Sequence, residues 1–153
     1  MASTSVDFGV LLGFAYKAFV DQLRAQLAAQ GFDDLGAAYG YVFRALAADT
    51  LQLNELASRL EMTAQGALKI INEMETRGYV ERRPDPEDGR AKQLRLTPRG
   101  RAALAAARRF HAVYEKRLRS MVGERDVSAA RRMFESMLAE ADIDVATAKL
   151  GAI

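Results

Sequence analysis

Residues 84–90 read Pro84-Asp85-Pro86-Glu87-Asp88-Gly89-Arg90, and this stretch constrains the fold more than any other in the chain. Proline lacks a backbone N–H and locks φ, so two prolines within three positions exclude both a helix interior and a central strand. Asp and Gly favour turn conformations in the same place. On either side, Tyr79-Val80-Glu81-Arg82-Arg83 and Lys92-Gln93-Leu94-Arg95-Leu96 are short and partly alternating, the pattern of two antiparallel strands. Elsewhere the apolar period is helical. The expected fold class is therefore mainly α with one small, charged β-hairpin (α+β).

The helices can be placed from spacing and stop signals. Phe8, Leu12, Ala15, Phe19, Leu23 and Leu27 recur at three- and four-residue steps over residues 6–30, which predicts a long helix stopped at Gly31. Val6, Val10, Leu11, Phe14 and Val20 make its first half apolar almost all round, and such a helix needs cover on more than one side. A second helix is expected over 35–47, with Ala38, Val42, Ala45 and Leu46 inward, and a short third near 54–60. Thr63 is a good N-cap for a fourth helix ending at Gly78. On that helix Ala67, Leu68, Ile71 and Met74 form the expected buried stripe, with Gln65, Lys69, Asn72 and Thr76 on the polar one. Thr97-Pro98 pairs a cap with a proline at the first helical position. The helix it starts carries Leu104, Ala107, His111, Tyr114, Leu118 and Met121 at the spacing of a packed seam. Gly123 should end it, and Asp126 or Ser128 begin a last helix with Met133 and Met137 on one side.

Several classes of function are disfavoured. The 153 residues include no cysteine and one histidine, which argues against disulfides, zinc ribbons, thiol redox chemistry and most transition-metal sites. No cofactor or metal is expected. The acidic cluster Asp85, Glu87 and Asp88 lies on a turn without further ligands, and no nucleophile and base are paired, so no enzyme is expected. No apolar run reaches the roughly 18 residues of a membrane span, and the N-terminus lacks a basic leader region. A cytoplasmic protein with no membrane partner is the expectation. Charge is unevenly distributed: residues 77–109 hold ten Lys/Arg against four acids, a local +6 within a chain of net +2. Such a block reads as a nucleic-acid footprint or as a solvated charged face.

A short helix, a tight turn, a second helix and a basic hairpin compose a winged helix-turn-helix. The second helix can enter the major groove, where base edges present distinct donor and acceptor patterns. The hairpin can reach the adjacent minor groove, whose negative potential attracts arginine. Flanking cations can neutralise phosphates. On this reading Thr63, Gln65, Lys69 and Asn72 of the second helix face DNA, together with Arg82, Arg83 and Lys92 of the wing.

Leu56-Ala57-Ser58-Arg59-Leu60, the segment Leu68 to Arg83 with Glu75-Thr76-Arg77-Gly78-Tyr79-Val80, and the wing Asp88-x-Arg90 followed by Leu96-Thr97-x-x-Gly100 resemble the MarR family of bacterial regulators. The motif-bearing part covers about residues 50–101. The resemblance implies one MarR-like domain over 1–153, with the DNA-binding part at 35–100 and dimerisation helices at 6–30 and 101–146. It further implies a homodimer on a pseudo-palindromic double-stranded operator, its recognition helices ~34 Å apart, commonly a repressor released by a small ligand. Arg90 would enter the minor groove, with Asp88 orienting it or a basic neighbour. Phe8, Leu11, Leu12, Leu118, Met133 and Met137 are the implied dimerisation residues. This chain has Gly89 where the family often has a further arginine, and Ala64-Gln65-Gly66-Ala67 opens the recognition helix without Arg or Ser.

Phe14, Tyr16, Tyr39, Tyr41 and Phe43 form an aromatic set. They suit either a pocket for an aromatic effector or ordinary core and interface packing. His111 beside Tyr114 reads as an interface residue or as a group titrating near neutrality. The rival to DNA binding is a winged-helix protein-interaction module without specific DNA contact.

Overall fold

A computed structural model describes residues 5–143. The chain forms two compact units, Met1–Asp34 and Leu35–Ile153. The expected 101–146 span ends at residues 144–146, which lie outside the described residues.

The first unit is built on one helix, α1 (Phe8–Ala28). Its C-terminus reverses at Gly31, φ +87°, and the Phe32 N–H donates back to the Leu27 carbonyl at 3.0 Å, as a left-handed terminating residue allows. Phe8, Val10, Leu11, Phe14 and Tyr16 are all exposed.

The second unit runs α2 (Tyr39–Ala48), α3 (Leu53–Arg59), α4 (Ala64–Thr76), β1 (Val80–Pro84), β2 (Lys92–Leu96), α5 (Pro98–Val122) and α6 (Glu124–Glu140). The strands pair antiparallel in the register Val80↔Leu96, Arg82↔Leu94 and Pro84↔Lys92. Leu51 adds a single bridge, its carbonyl accepting from Leu94 N–H at 2.7 Å. The result is a winged helix with α5 and α6 following it. Among the described residues no helix is long and apolar enough to cross a membrane.

Tyr39, Val42 and Phe43 of α2, Leu56 of α3, Ile71 and Met74 of α4, and Val80, Leu94 and Leu96 of the hairpin are buried together with Tyr79 and with Ala103 and Leu104 of α5. Tyr79 is fully buried and meets Tyr39 and Phe43 edge-on, with ring centroids 6.0 and 5.7 Å apart. Edge-to-face pairs add about 0.5–1.5 kcal/mol each beyond the area they bury.

Three expectations need correction. The second helix begins at Tyr39, four residues later than its pattern suggested, so Leu35 to Ala38 are not helical. The last helix begins at Glu124, directly after Gly123 at φ +89°. The chain turns there without the side-chain cap expected from Asp126 or Ser128. Leu68, expected in the buried stripe of α4, is exposed, while Ala67, Ile71 and Met74 are buried.

α5 starts where two motif residues meet the end of α4. Gly78, at φ +79°, ends α4, and Tyr79 N–H donates to the Met74 carbonyl at 2.8 Å. The Thr97 hydroxyl donates to the Gly78 carbonyl at 2.5 Å, and its oxygen accepts from Gly100 N–H at 3.0 Å. Thr97 N–H donates to the Tyr79 carbonyl at 3.1 Å. A Cβ on Gly100 would lie 2.1 Å from that carbonyl oxygen, a backbone atom that cannot step aside. Gly100→Ala should therefore destabilise the fold by about 3 kcal/mol, at the upper end of overpacking costs. Gly89→Ala, where a Cβ meets nothing within 4 Å, should stay within about 0.5 kcal/mol. Urea unfolding at one fixed protein concentration checks both.

Candidate nucleic-acid interface

The helix-turn-helix is set by local chemistry at each end of its turn. Gln52 and Glu55 form a capping box at the start of α3, Gln52 N–H donating to Glu55 Oε2 at 2.7 Å. Glu61 takes the left-handed turn at φ +49°, a conformation that costs a non-glycine residue about 1 kcal/mol. Met62 N–H closes the turn on the Ala57 carbonyl at 2.9 Å. Thr63 caps α4 as its sequence suggested, Oγ1 accepting from Gly66 N–H at 3.0 Å. A Cβ at Gly66 would lie 3.1 Å from that Oγ1 and 3.3 Å from Met62 Cε. The glycine thus has a local packing reason at the cap.

α4 presents Thr63, Gln65, Lys69 and Asn72 at exposed positions. The hairpin tip is held by its own acids. Asp85 N–H donates to the Ala91 carbonyl and Ala91 N–H to the Asp88 carbonyl, both at 3.0 Å. Asp88 Oδ1 accepts from the Arg90 backbone N–H at 3.1 Å. Asp88 therefore orients Arg90 through the backbone turn rather than by pairing with its guanidinium. Asp85 accepts from Glu87 N–H at 2.8 Å and from Gln52 Nε2 at 3.3 Å, which ties the wing to the start of α3.

The basic block divides in two. Arg77 donates to the Tyr39 hydroxyl at 2.8 Å, Arg99 to the Tyr79 hydroxyl at 2.9 Å and Arg101 to the Leu96 carbonyl at 2.7 Å. Arg82 spans Glu75 Oε2 and Asn72 Oδ1, both at 2.8 Å, and Arg83 lies 3.1 Å from Glu81. By contrast Arg90, Lys92 and Arg95 on the wing and Arg108 and Arg109 on α5 are exposed and make no side-chain hydrogen bond or ion pair among the described residues, and the same holds for Lys69 on α4. Sequence reading had included Arg82 and Asn72 among the DNA-facing groups; the structure joins them to each other. It had not singled out Arg95, whose alternation with Leu94 and Leu96 marks it as outward.

The aromatic set is not one cluster. Tyr39 and Phe43 are buried against Tyr79 in the core. Tyr41 is half-buried with Arg44 5.8 Å over its ring, and Phe14 and Tyr16 are exposed on α1. Of the residues implied for dimerisation, Phe8, Leu11, Met133 and Met137 are exposed, while Leu12 and Leu118 are half-buried. Burial first, and the Arg44 charge second, lower the His111 pKa below its ordinary 6.5, so the imidazole favours its neutral form. Among the described residues no group of three His, Cys, Asp or Glu side chains could hold a metal ion.

Residues 33–91 match the model of the MarR family. A curated relative, the exopolysaccharide II synthesis transcriptional activator ExpG of Rhizobium meliloti, is 28% identical over 104 residues, 68% of this chain. The match spans only 54% of that protein's length. Among solved structures, the S. aureus MepR–DNA complex superposes with a TM-score of 0.69 at 22% identity, covering 88% of this chain and 97% of that one. YusO of Bacillus subtilis gives 0.68 at 20%, covering 88% and 94%. MepR has also been solved bound to ethidium bromide.

The Asp85 carboxyl is held below its ordinary 3.8, first by the Glu87 N–H, against partial desolvation and with help from Gln52. A depressed carboxyl pKa contributes stability that is present above the unfolded value and lost as pH falls through the folded one. The wing turn should thus keep its full order down to about pH 3.8 and loosen below it. The Glu87 amide resonance should follow a titration with its midpoint under 3.8, and Asp85→Asn should abolish that titration.

Proposed function

We propose that this chain, whose residues 33–91 match the MarR family model, is a MarR-family transcriptional regulator that binds a pseudo-palindromic double-stranded operator as a homodimer. The observation that carries the reading is that Lys69 on α4 and Arg90, Lys92 and Arg95 on the wing are exposed cations without a side-chain partner among the described residues. Those are the two elements that a winged helix sends into the grooves. Thr63, Gln65 and Lys69 lie on the helix that enters the major groove, where Gln65 suits adenine and Lys69 guanine or a phosphate. Arg90, on the turn shaped by Asp88, enters the minor groove, and Lys92 and Arg83 neutralise phosphates.

The homodimer rests on the apolar side chains that α1, the end of α5 and α6 leave exposed, among them Phe8, Leu11, Met121, Met133 and Met137. Repression relieved by a small aromatic ligand is the arrangement proposed, supported by a MepR structure that contains ethidium bromide. Tyr41 has surface to offer such a ligand, whereas Tyr39 and Phe43 have none. ExpG is named an activator, so a promoter reporter, with and without the protein, must decide the sign.

Fluorescence anisotropy against the DNA upstream of its own gene, and against DNA selected from a random pool, tests the reading. Binding should survive nonspecific competitor and fall steeply with salt. Arg90→Ala should weaken it by about tenfold or more, the scale of one groove-reading arginine. Selection that enriches no sequence would favour the interaction-module reading instead.

A further inference from the structure

The strand alternation of the wing assigns Arg82 and Arg83 to opposite faces. Arg82 pairs in register with Leu94 and shares its face with Val80 and Leu96, all three of which are buried. Its side chain is 28% exposed, against 60% for Arg83. Arg82 therefore points toward α4 rather than away from the protein. One Nη donates to Glu75 Oε2 and the other to Asn72 Oδ1, each at 2.8 Å. Asn72 and Glu75 are three residues apart and so share one face of α4.

The chemistry of the pair fixes the orientation of the Asn72 amide. A guanidinium has donors only, so the group that meets it must be the amide oxygen and not the nitrogen. An asparagine that reads adenine in the usual two-point way needs both ends of its amide, the oxygen for N6–H and the nitrogen for N7. Here one acceptor site of the oxygen is taken by a cationic donor, Arg82, which weakens the oxygen toward N6–H, and the NH2 remains to be offered. A donor alone accepts base edges that carry an acceptor, namely purine N7, guanine O6 or thymine O4, and finds no partner on the N4 amino group of cytosine.

We propose that Arg82 is a positioning residue that sets specificity: it turns the Asn72 NH2 outward as the leading reader, a donor that discriminates against cytosine, and it is not itself a phosphate contact. This rests on the DNA-binding reading above. Lysine keeps the charge of arginine but not the two-pronged geometry, so Arg82→Lys separates the two roles. A phosphate contact tolerates the exchange, whereas the bridge between Glu75 and Asn72 does not.

The test begins with an operator selected from random DNA by the wild-type protein. Affinities for every single-base variant of it, and for the operator across a salt series, are then measured for wild type, Arg82→Lys, Arg82→Gln, Asn72→Ala and the Arg82→Lys/Asn72→Ala double variant. Both Arg82 variants should keep the wild-type salt slope and lose discrimination against cytosine at one position, by about fivefold, the scale of one hydrogen bond. Asn72→Ala should lose the same discrimination, and the double variant should lose no more. In the free protein, the Asn72 side-chain NH2 resonances should shift in Arg82→Lys. A salt slope that drops by about 0.9 in Arg82→Gln and recovers in Arg82→Lys would make Arg82 a phosphate contact and overturn the proposal. So would unchanged cytosine discrimination in all variants, or unmoved Asn72 resonances. If the wild type enriches no sequence at all, the DNA-binding reading itself falls.

Discussion

The backbone carbonyl of Tyr79 is the point on which the winged helix depends. It accepts from Thr97 N–H at 3.1 Å and lies so close to Gly100 that no side chain fits there. The tyrosine ring fills the centre of the core against Tyr39 and Phe43, and its hydroxyl accepts from Arg99. One residue thus joins the end of α4, the first strand of the hairpin and the start of α5. The Leu96-Thr97-x-x-Gly100 motif follows from this. Thr97 caps α5 with its oxygen while its hydroxyl hydrogen binds the Gly78 carbonyl, and Gly100 supplies the space that the Tyr79 carbonyl occupies. Loss of any part would free the hairpin to tilt relative to α4.

That joint also explains how the basic block is used. Arginines close to the core satisfy polar groups that the packing would otherwise strand: Arg77 the Tyr39 hydroxyl, Arg99 the Tyr79 hydroxyl, Arg101 the Leu96 carbonyl. A buried hydroxyl or carbonyl without a partner costs about 1–3 kcal/mol, so these side chains are held in place by what they satisfy. Lys69, Arg90, Lys92 and Arg95 have no such obligation. The local +6 of residues 77–109 therefore overstates the charge that is free to meet a phosphate. Much of it is structural.

Features that depend on a few neighbouring residues were legible in the sequence. The caps at Thr63 and Thr97, the stops at Gly31 and Gly78, and the hairpin between its prolines all follow from local backbone chemistry. Features that depend on which face meets which were not. Leu68 matched the apolar period of α4 yet is exposed, because the period says that a stripe exists and not how wide its cover is. Arg82 and Asn72 looked like two independent surface groups, and only the register Arg82↔Leu94 shows that the arginine leans on the helix. Tyr39 and Phe43 looked available to a ligand because spacing cannot distinguish a pocket wall from a core. The later start of α2 and the earlier start of α6 are backbone outcomes at Ala38 and Gly123 that no side-chain cap announces.

α6 carries the remaining physical tension. It has no buried residue, and Met133, Phe134 and Met137 are exposed on it. Its connection to α5 is made partly by ions: Arg131 reaches Glu115 at 2.8 Å, and Arg119 spans Glu115 and Glu124. These pairs are exposed, and such pairs contribute at most about 1 kcal/mol each. A 17-residue helix with no fully buried side chain is marginal on its own. Cover of its apolar side by a second copy, as in the proposed homodimer, would bury the side chains that the ion pairs leave exposed. In that arrangement α6 becomes stably helical as the dimer forms, and its order depends on protein concentration. Because α5 is continuous from Pro98 to Val122, one unbroken helix would link that interface to the Tyr79–Gly100 joint. The spacing of the two recognition helices would then be set by the same contacts that hold the dimer together.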